Sequence, residues 1–446
     1  MSRRPLTSLL ALGCLSVPLA RAQGSQAAAV VFENVRIFDG TSDRLSPASN
    51  ILVVGNTIRS ISTAPIVPPA DAQVTVIAGG GRVLMPGLID AHWHALMSAN
   101  TLADLTSADI GYVHVCAGRG ATQTLMRGFT TIRDVGGPVF GLKQAIDRGV
   151  IAGPRIYPSG ATISQTSGHG DFRSRVEPSR RFSGLQTYLE RIGVSVVADG
   201  VDEVLAATRE NLRLGASQIK LMASGGVASV YDPLDTRQYL PEELEAAVRA
   251  AADWGTYVTV HAYTPASVRR AVEAGVKCIE HGHLLDEDTM QYIAEHDVWL
   301  SMQPFEFTDN TFPTEEQQAK NRQVCDGTAN VYIWARKHKV KLAWGTDLVF
   351  NPAATHKQNE GIRKLGQWFS PFEVLRMITH DNAQLLALSG PRNPYPGRLG
   401  VIEEGALADI LLVDGNPLED LSILVDYEKN FKVVMKDGIV FKNALP

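Results

Sequence analysis

From about residue 83 to about residue 390, short apolar runs alternate with stretches whose apolar residues recur at helical spacing. The runs are "VLMPGLIDAHWH", "FTTIRDVG", "RIYPSGATIS", "SQIKLMAS", "YVTVHAY", "CIEHGHL", "VWLSMQP" and "KLAWGTDLV". Among the helical stretches are "VDEVLAATRENLRLG", "PEELEAAVRAAADWG", "SVRRAVEAGV" and "DEDTMQYIAEHD". The second opens on Pro241 and closes near Gly255. Eight strands alternating with helices predict a (β/α)8, TIM-like barrel over 83–390. A doubly wound sheet is the alternative, but no GxGxxG turn follows the first strand.

The two ends of the chain have a different texture. Residues 30–82 and the stretches "GVIEEGALADILLVDGNP" and "FKVVMKDGIVFK" are β-branched and punctuated by Gly, Asn and Asp. Lys436-Asp437-Gly438 is a hairpin signal. Segments 23–82 and 391–446 therefore predict one small composite β-sandwich domain beside the barrel. A charged loop is expected over 171–184, after the third strand.

Residues 1–22 read as an export signal: Arg3 and Arg4, an apolar stretch to Ala20, and Ala20-x-Ala22 as a cleavage site before Gln23. Leu6 and Thr7 stand where a twin-arginine signal carries Phe-Leu, and Ala11 where a lipoprotein box ending at Cys14 carries Leu. The expected location is periplasmic or secreted. No later segment reaches the ~20 unbroken apolar residues of a spanning helix. The 446 residues are 45% hydrophobic and 20% charged, with a formal net charge of -5. Such a balance offers no basic surface for nucleic acid or an anionic membrane. Cys116, Cys278 and Cys325 are widely spaced and read as buried thiols, not as a disulfide framework.

The candidate chemistry sits at the strand ends, where barrels of this type carry their sites. The first strand ends in His92 and His94, on one side of the strand because side chains alternate. The fourth carries Lys220, the fifth His261, the sixth His281, and the eighth ends at Asp347. Imidazole and carboxylate suit zinc and related divalent ions. Each residue alone has a plainer explanation: a surface pair, a satisfied core histidine, a helix cap, a charged lysine at the core mouth. One metal centre accounts for all of them together. Two ions about 3.5–4 Å apart need a bridging ligand, which an ammonium cannot supply but a lysine carbamate can. His283 is not needed as a ligand and reads as a supporting or strand-flanking histidine.

With "MPGLIDAHWH", "IKLMASGG", "TVHAY", "IEHG" and "GTD" in place, the chain resembles the amidohydrolase superfamily in its binuclear, carbamylated-lysine form. "GRLGVIEEGALADILLVDGNP" resembles that family's returning segment. "ISQTSGHGD" and "MASGGVASVYDPLDTRQYL" resemble the prolidase-like branch, which includes dipeptidases and ochratoxin-hydrolysing enzymes. The resemblance implies two divalent ions, zinc by default. His92 and His94 would hold one and His261 and His281 the other, with carboxylated Lys220 bridging and Asp347 ligating the first. It also implies that His169 contacts the substrate carbonyl or carboxylate, that Tyr231 stands near the scissile carbonyl, and that Asp347 moves the proton. Ser167 departs from the glycine that close relatives often show. Arg237, Arg173 and Tyr231 are candidates to clamp a substrate carboxylate.

The expected activity is hydrolysis of the amide bond of a dipeptide or N-acyl amino acid, ochratoxin A included, by an exported enzyme. The partner is a small-molecule substrate, and relatives in this branch point to a homo-oligomer. Alternatives on the same barrel are a cyclic-amide or lactone hydrolase, a deaminase, or a non-catalytic assembly protein.

Overall fold

The computed structural model describes residues 28–310 and 312–446. The expected export signal at 1–22 lies outside them. Eight parallel staves form the barrel: β1 (Leu88–Trp93), β2 (Phe129–Asp134), β3 (Arg155–Pro158), β4 (Ile219–Met222), β5 (Val258–Ala262), β6 (Cys278–His281), β7 (Trp299–Met302) and β8 (Lys341–Trp344). All their residues are buried except Lys341. Burial on both faces is the reason these strands read as near-continuous apolar runs and not as alternating ones.

Hydrogen-bond ladders join β1 to β2 to β3, and β4 through to β8 in order. The ring closes between its last and first staves, where Asp347 N donates to His92 O at 2.9 Å. The third stave is interrupted. Arg155–Pro158 pairs with β2, and the chain resumes as Thr162–Ser164, which pairs with β4 and with Ser195–Val197. At the break, Asn211 takes the place of a ladder. Its Oδ1 accepts from Ala161 N at 3.2 Å, and its Nδ2 donates to Ala161 O at 2.8 Å. The predicted helices form over Val201–Leu214, Pro241–Asp253, Pro265–Glu273 and Glu287–Glu295. A further long helix, Glu315–Lys337, lies between β7 and β8. No described helix is long and apolar enough to cross a membrane.

The chain ends build one mixed eight-stranded sheet. Its long first strand, Ala28–Ile37, joins two halves. Most of that strand pairs with Ser49–Val54 and Gln73–Ala78, while Arg36 and Ile37 pair with Val83–Pro86. The last of these strands receives the C-terminal set, Ile410–Val413, then Phe431–Lys436, then Ile439–Asn443. The expected sandwich is thus hydrogen-bonded continuously through one shared strand. Phe32, Ile51, Leu84, Ile410 and Val433 fill its own apolar core. Asp437 and Gly438 make the predicted hairpin turn.

Arg155 fastens this sheet to the barrel. It leaves β3 and donates to both oxygens of Asp409, at 2.9 and 3.2 Å, and to Asp437 at 2.6 Å. Arg155 and Asp409 are almost fully buried. Breaking such a pair strands a charge and typically costs about 3–5 kcal/mol. Arg155→Met is therefore expected to lower the unfolding free energy by about that amount, read as a reduced urea midpoint at unchanged slope.

Candidate metal centre and its cavity

Strand register brings the chemistry to one end of the barrel. Met222 pairs with His261 and Ala262 with His281, so His281 emerges one residue above His261 at the same end of the barrel. Lys220 pairs with Thr259, two residues deeper than His261, and is buried. His92 Nε2 and His94 Nε2 lie 3.2 and 3.3 Å from Asp347 Oδ1. His281 Nδ1 lies 4.0 Å from Asp347 Oδ2. Ligand atoms of His92, His281 and Asp347 all fall within 4.8 Å of one another. The His261 ring is 4.5 Å from that of His281. His281 and Asp347 both hold left-handed backbone, at φ 79° and 50°. Non-glycine residues reach this region at a cost that clusters at functional sites.

The outward nitrogen of each histidine is already engaged. His92 Nδ1 donates to Glu280 Oε2 at 2.8 Å, and His94 Nδ1 to Gly136 O at 3.0 Å. His261 Nε2 donates to Gly225 O at 3.0 Å, and His281 Nδ1 to Gln303 Oε1 at 2.7 Å. Such bonds fix each tautomer and leave the other nitrogen's lone pair for a metal. His92 Nε2, buried 3.2 Å from Asp347 Oδ1, makes no hydrogen bond among the described residues, and an ion among these groups would supply its partner. Burial pushes His261 and His281 well below the usual imidazole value, so both are neutral, the ligating form. Burial opposes ionisation of Asp347, but its histidine neighbours outweigh that and hold its carboxyl well below the usual range. The residues fit a divalent cation.

Beneath His92 runs a buried support that sequence reasoning missed. Glu280 accepts from Arg133 Nη2 at 2.6 Å and from Thr259 Oγ1, as well as from His92. Arg133 also donates to Ala91 O at 2.5 Å and to Ser301 Oγ at 3.3 Å. The signal was present as Arg133, beside Asp134, in "FTTIRDVG" and as Glu280 in "CIEHGHL", charged residues inside strands that are otherwise largely apolar. Asp90, two residues before His92, accepts from Thr346 Oγ1 at 2.7 Å, from Gln358 Nε2 at 2.9 Å and from His92 N at 3.0 Å. It thereby ties the strand that carries His92, with His94 just past its end, to the segment carrying Asp347. Gly345 permits the same approach, since a Cβ there would lie 2.2 Å from His92 N. His283 donates from Nε2 to Gln303 O at 2.8 Å and stacks on Phe305. It supports the wall beside His281, and burial lowers its value to about 4.

The cluster opens into a cavity of about 380 Å³. His94, His169, His261 and Asp347 line it together with Met97, Phe172, Val227, Phe305 and Phe350. The other sequence candidates lie elsewhere. Tyr231 is 43% exposed, and neither it nor Arg237 lines the cavity. Its neighbour Asp232 is the residue turned inward, with Oδ2 accepting from Gly226 N at 2.7 Å. Arg237 is exposed on the return of that loop. Arg173 is occupied by Asp171, at 2.6 and 2.7 Å. The expected charged loop over 171–184 includes this pair and a short helix, Arg180–Ser183. A larger recess of about 840 Å³ lies beside Trp344 and Lys364 and reaches none of the six candidate ligands.

Glu280→Gln leaves Arg133 without its counter-charge and His92 without its carboxylate. A loss of about 3–5 kcal/mol in stability and a metal affinity lower by about 10–100-fold are expected. Burial opposes the charge on Glu280, but Arg133 and His92 hold it well below the ordinary 4.5. Its contribution is therefore complete above pH 4.5 and is lost as pH falls below that, through the folded-state value. Calorimetry of metal-free protein across this range should show an acid limb in the parent that is reduced in the variant.

The profile of the Amidohydrolase family matches residues 83–440. Ochratoxinase of Aspergillus niger is 30% identical over 439 residues, covering 95% of this chain and 89% of that protein. A crystal structure of an amidohydrolase superposes with a TM-score of 0.85 at 36% identity, covering 94% of this chain and all, 100%, of that one. A prolidase complexed with N-methylphosphonate-L-proline gives 0.84 at 33% identity, covering 93% and 100%. The match spans the barrel, the histidines at its mouth and the strands that return to the N-terminal sheet, and the chain belongs to the amidohydrolase family.

Proposed function

We propose that this chain is a metal-dependent hydrolase that cleaves the amide bond of dipeptides or N-acyl amino acids with a hydrophobic component, ochratoxin A among them. The observation that carries this reading is the cluster of His92, His94, His281 and Asp347, opening into a largely apolar cavity with His169 on its wall. The names of the relatives, an ochratoxinase and a prolidase with a proline phosphonate, support amide substrates. An apolar cavity with few polar groups suits a substrate held by its hydrophobic part and oriented at one carbonyl.

His92, His94 and Asp347 would hold one divalent ion and His261 and His281 a second, with zinc the ion this donor set suits. Lys220 supports a shared ligand between them. It is buried, and burial pushes its amine below the ordinary value, towards the free base that adds CO2 to become a carbamate. Bound divalent ions supply Lewis acidity and a nucleophilic water near neutral pH. Asp347 takes the proton of the attacking water at a carboxylate oxygen and returns it to the leaving nitrogen. His169 offers Nε2 to the carbonyl or carboxylate of the bound substrate. Phe172, Phe305 and Phe350 hold the hydrophobic part and keep bulk water from the amide.

The reading is tested with metal-replete enzyme and a panel of dipeptides, N-acyl amino acids, ochratoxin A, lactones and cyclic amides, products identified by mass spectrometry. Release of a free amino acid from a linear amide, abolished by chelation, supports it. Turnover of ring substrates alone overturns it.

Asp347→Asn keeps one oxygen but cannot accept a proton near neutral pH. Metal analysis should show the ion retained, with kcat down by about 10²–10⁴-fold, the usual worth of a positioned acid–base group. Lys220→Ala should lose metal and activity together. Short carboxylic acids, supplying a carboxylate where the carbamate stood, should restore part of both, measured by metal content and rate against added acetate or propionate.

A further inference from the structure

The long helix Glu315–Lys337 places Gln317 and Lys320 three residues apart, on one face. Both are buried, and both spend their donors on one loop. Gln317 Nε2 donates to Ala228 O at 2.9 Å. Lys320 Nζ donates to the main-chain carbonyls of Asp232, Gly226 and Ser229, at 2.9, 3.3 and 3.4 Å. An ammonium has three donors, so the three carbonyls use all of them. Glu316, its nearest carboxylate at 3.9 Å, is mostly exposed.

The same three residues touch His169. Ser229 Oγ lies 2.6 Å from His169 Nδ1, and Asp232 Oδ2 lies 3.3 Å from it. Gly226 lies flat against the ring, since a Cβ there would fall 2.0 Å from Cε1 and Nδ1. On its other side the ring stacks on His261, centroids 4.1 Å apart. Burial opposes ionisation of Asp232, but the bonds from His169, Ser229 and Gly226 N–H hold its carboxyl below the usual value. With Nδ1 engaged, His169 Nε2 is the end left to the cavity, and it makes no hydrogen bond among the described residues.

We propose that Lys320 is a positioning residue for His169: its ammonium gathers the carbonyls of Gly226, Ser229 and Asp232, and so presents Nε2 of that imidazole to the substrate. This rests on the proposed function for the role of His169 in turnover, but not for its orientation. A staple for the fold alone has no reason to select the three residues that seat one ring. The arrangement makes a residue on the helix between β7 and β8, outside the metal cluster, part of how the site reads a carbonyl or carboxylate. A displacement of about 1 Å in such a group can cost on the order of 10²-fold in rate.

The test is Lys320→Met, alone and combined with His169→Ala, in metal-replete enzyme with a substrate that the parent hydrolyses. Lys320→Met should lower kcat/KM at least about tenfold at unchanged metal content, and it should cost almost nothing further once His169 is alanine. Equal costs in both backgrounds would show a general structural role and overturn the proposal. A second readout needs no substrate. In nitrogen-15 NMR of the imidazoles, the Nδ1–H signal of His169, assigned by its absence in His169→Ala, should be sharp in the parent and exchange-broadened in Lys320→Met. An unchanged signal overturns the proposal even if activity falls, and failure of the substrate panel leaves this arm intact. Should Lys320→Met not fold, Lys320→Gln, which removes the charge and keeps a donor, is judged by the same two criteria.

Discussion

Glu280 is buried completely, on a strand whose residues are all buried, and the site is arranged around that fact. An ionised carboxylate in such a place is costly unless every oxygen is paired. Arg133 supplies the opposite charge from β2, Thr259 a hydroxyl from β5, and His92 a ring N–H from β1. One side chain on β6 thereby ties three other staves together through polar contacts in an otherwise apolar interior. The same bond that satisfies Glu280 turns the far nitrogen of His92 toward Asp347. Charge compensation inside the barrel and presentation of a metal ligand at its mouth are one interaction seen from two sides.

A second layer works at the rim. Asp90 holds the first stave to the segment after the eighth, and Gln303, just past β7, orients both His281 and His283. Positive φ at His281 and Asp347 shows that the backbone itself bends to bring these groups inward. Neither conformation is favourable for such residues in isolation. The hydrogen bond from Asp347 N to His92 O holds one of them in place.

Legibility in the sequence followed burial. Staves buried on both faces write near-continuous apolar runs, so the barrel could be read, and most of the ligands stand where those runs end. The interruption of β3 was hidden, because its satisfaction depends on Asn211, far along the chain. The long helix Glu315–Lys337 was also missed: "EEQQAKNRQVCDGTANVYIWARK" is polar over its first half, and its inward face includes Gln317 and Lys320. Tyr231 and Arg237 were chosen from local motifs, yet local motif does not fix which way a folded-back loop points. Asp232 faces inward there and Tyr231 outward. Family membership carries the hydrolase chemistry and the metal site, while substrate choice belongs to the cavity wall, where elements distant in sequence meet.

The sheet made from both chain ends has a consequence for the order of folding. Val83–Pro86 needs Ile410–Val413 as its neighbour, and the whole barrel lies between them in the sequence. Contacts of such separation form late and slowly, because the loop they close is long. Until the C-terminal strands arrive, the apolar strand Val83–Pro86 presents a bare hydrogen-bonding edge, the kind of edge that pairs with the wrong chain. The nascent protein thus spends most of its synthesis with this edge complete and its cover unmade.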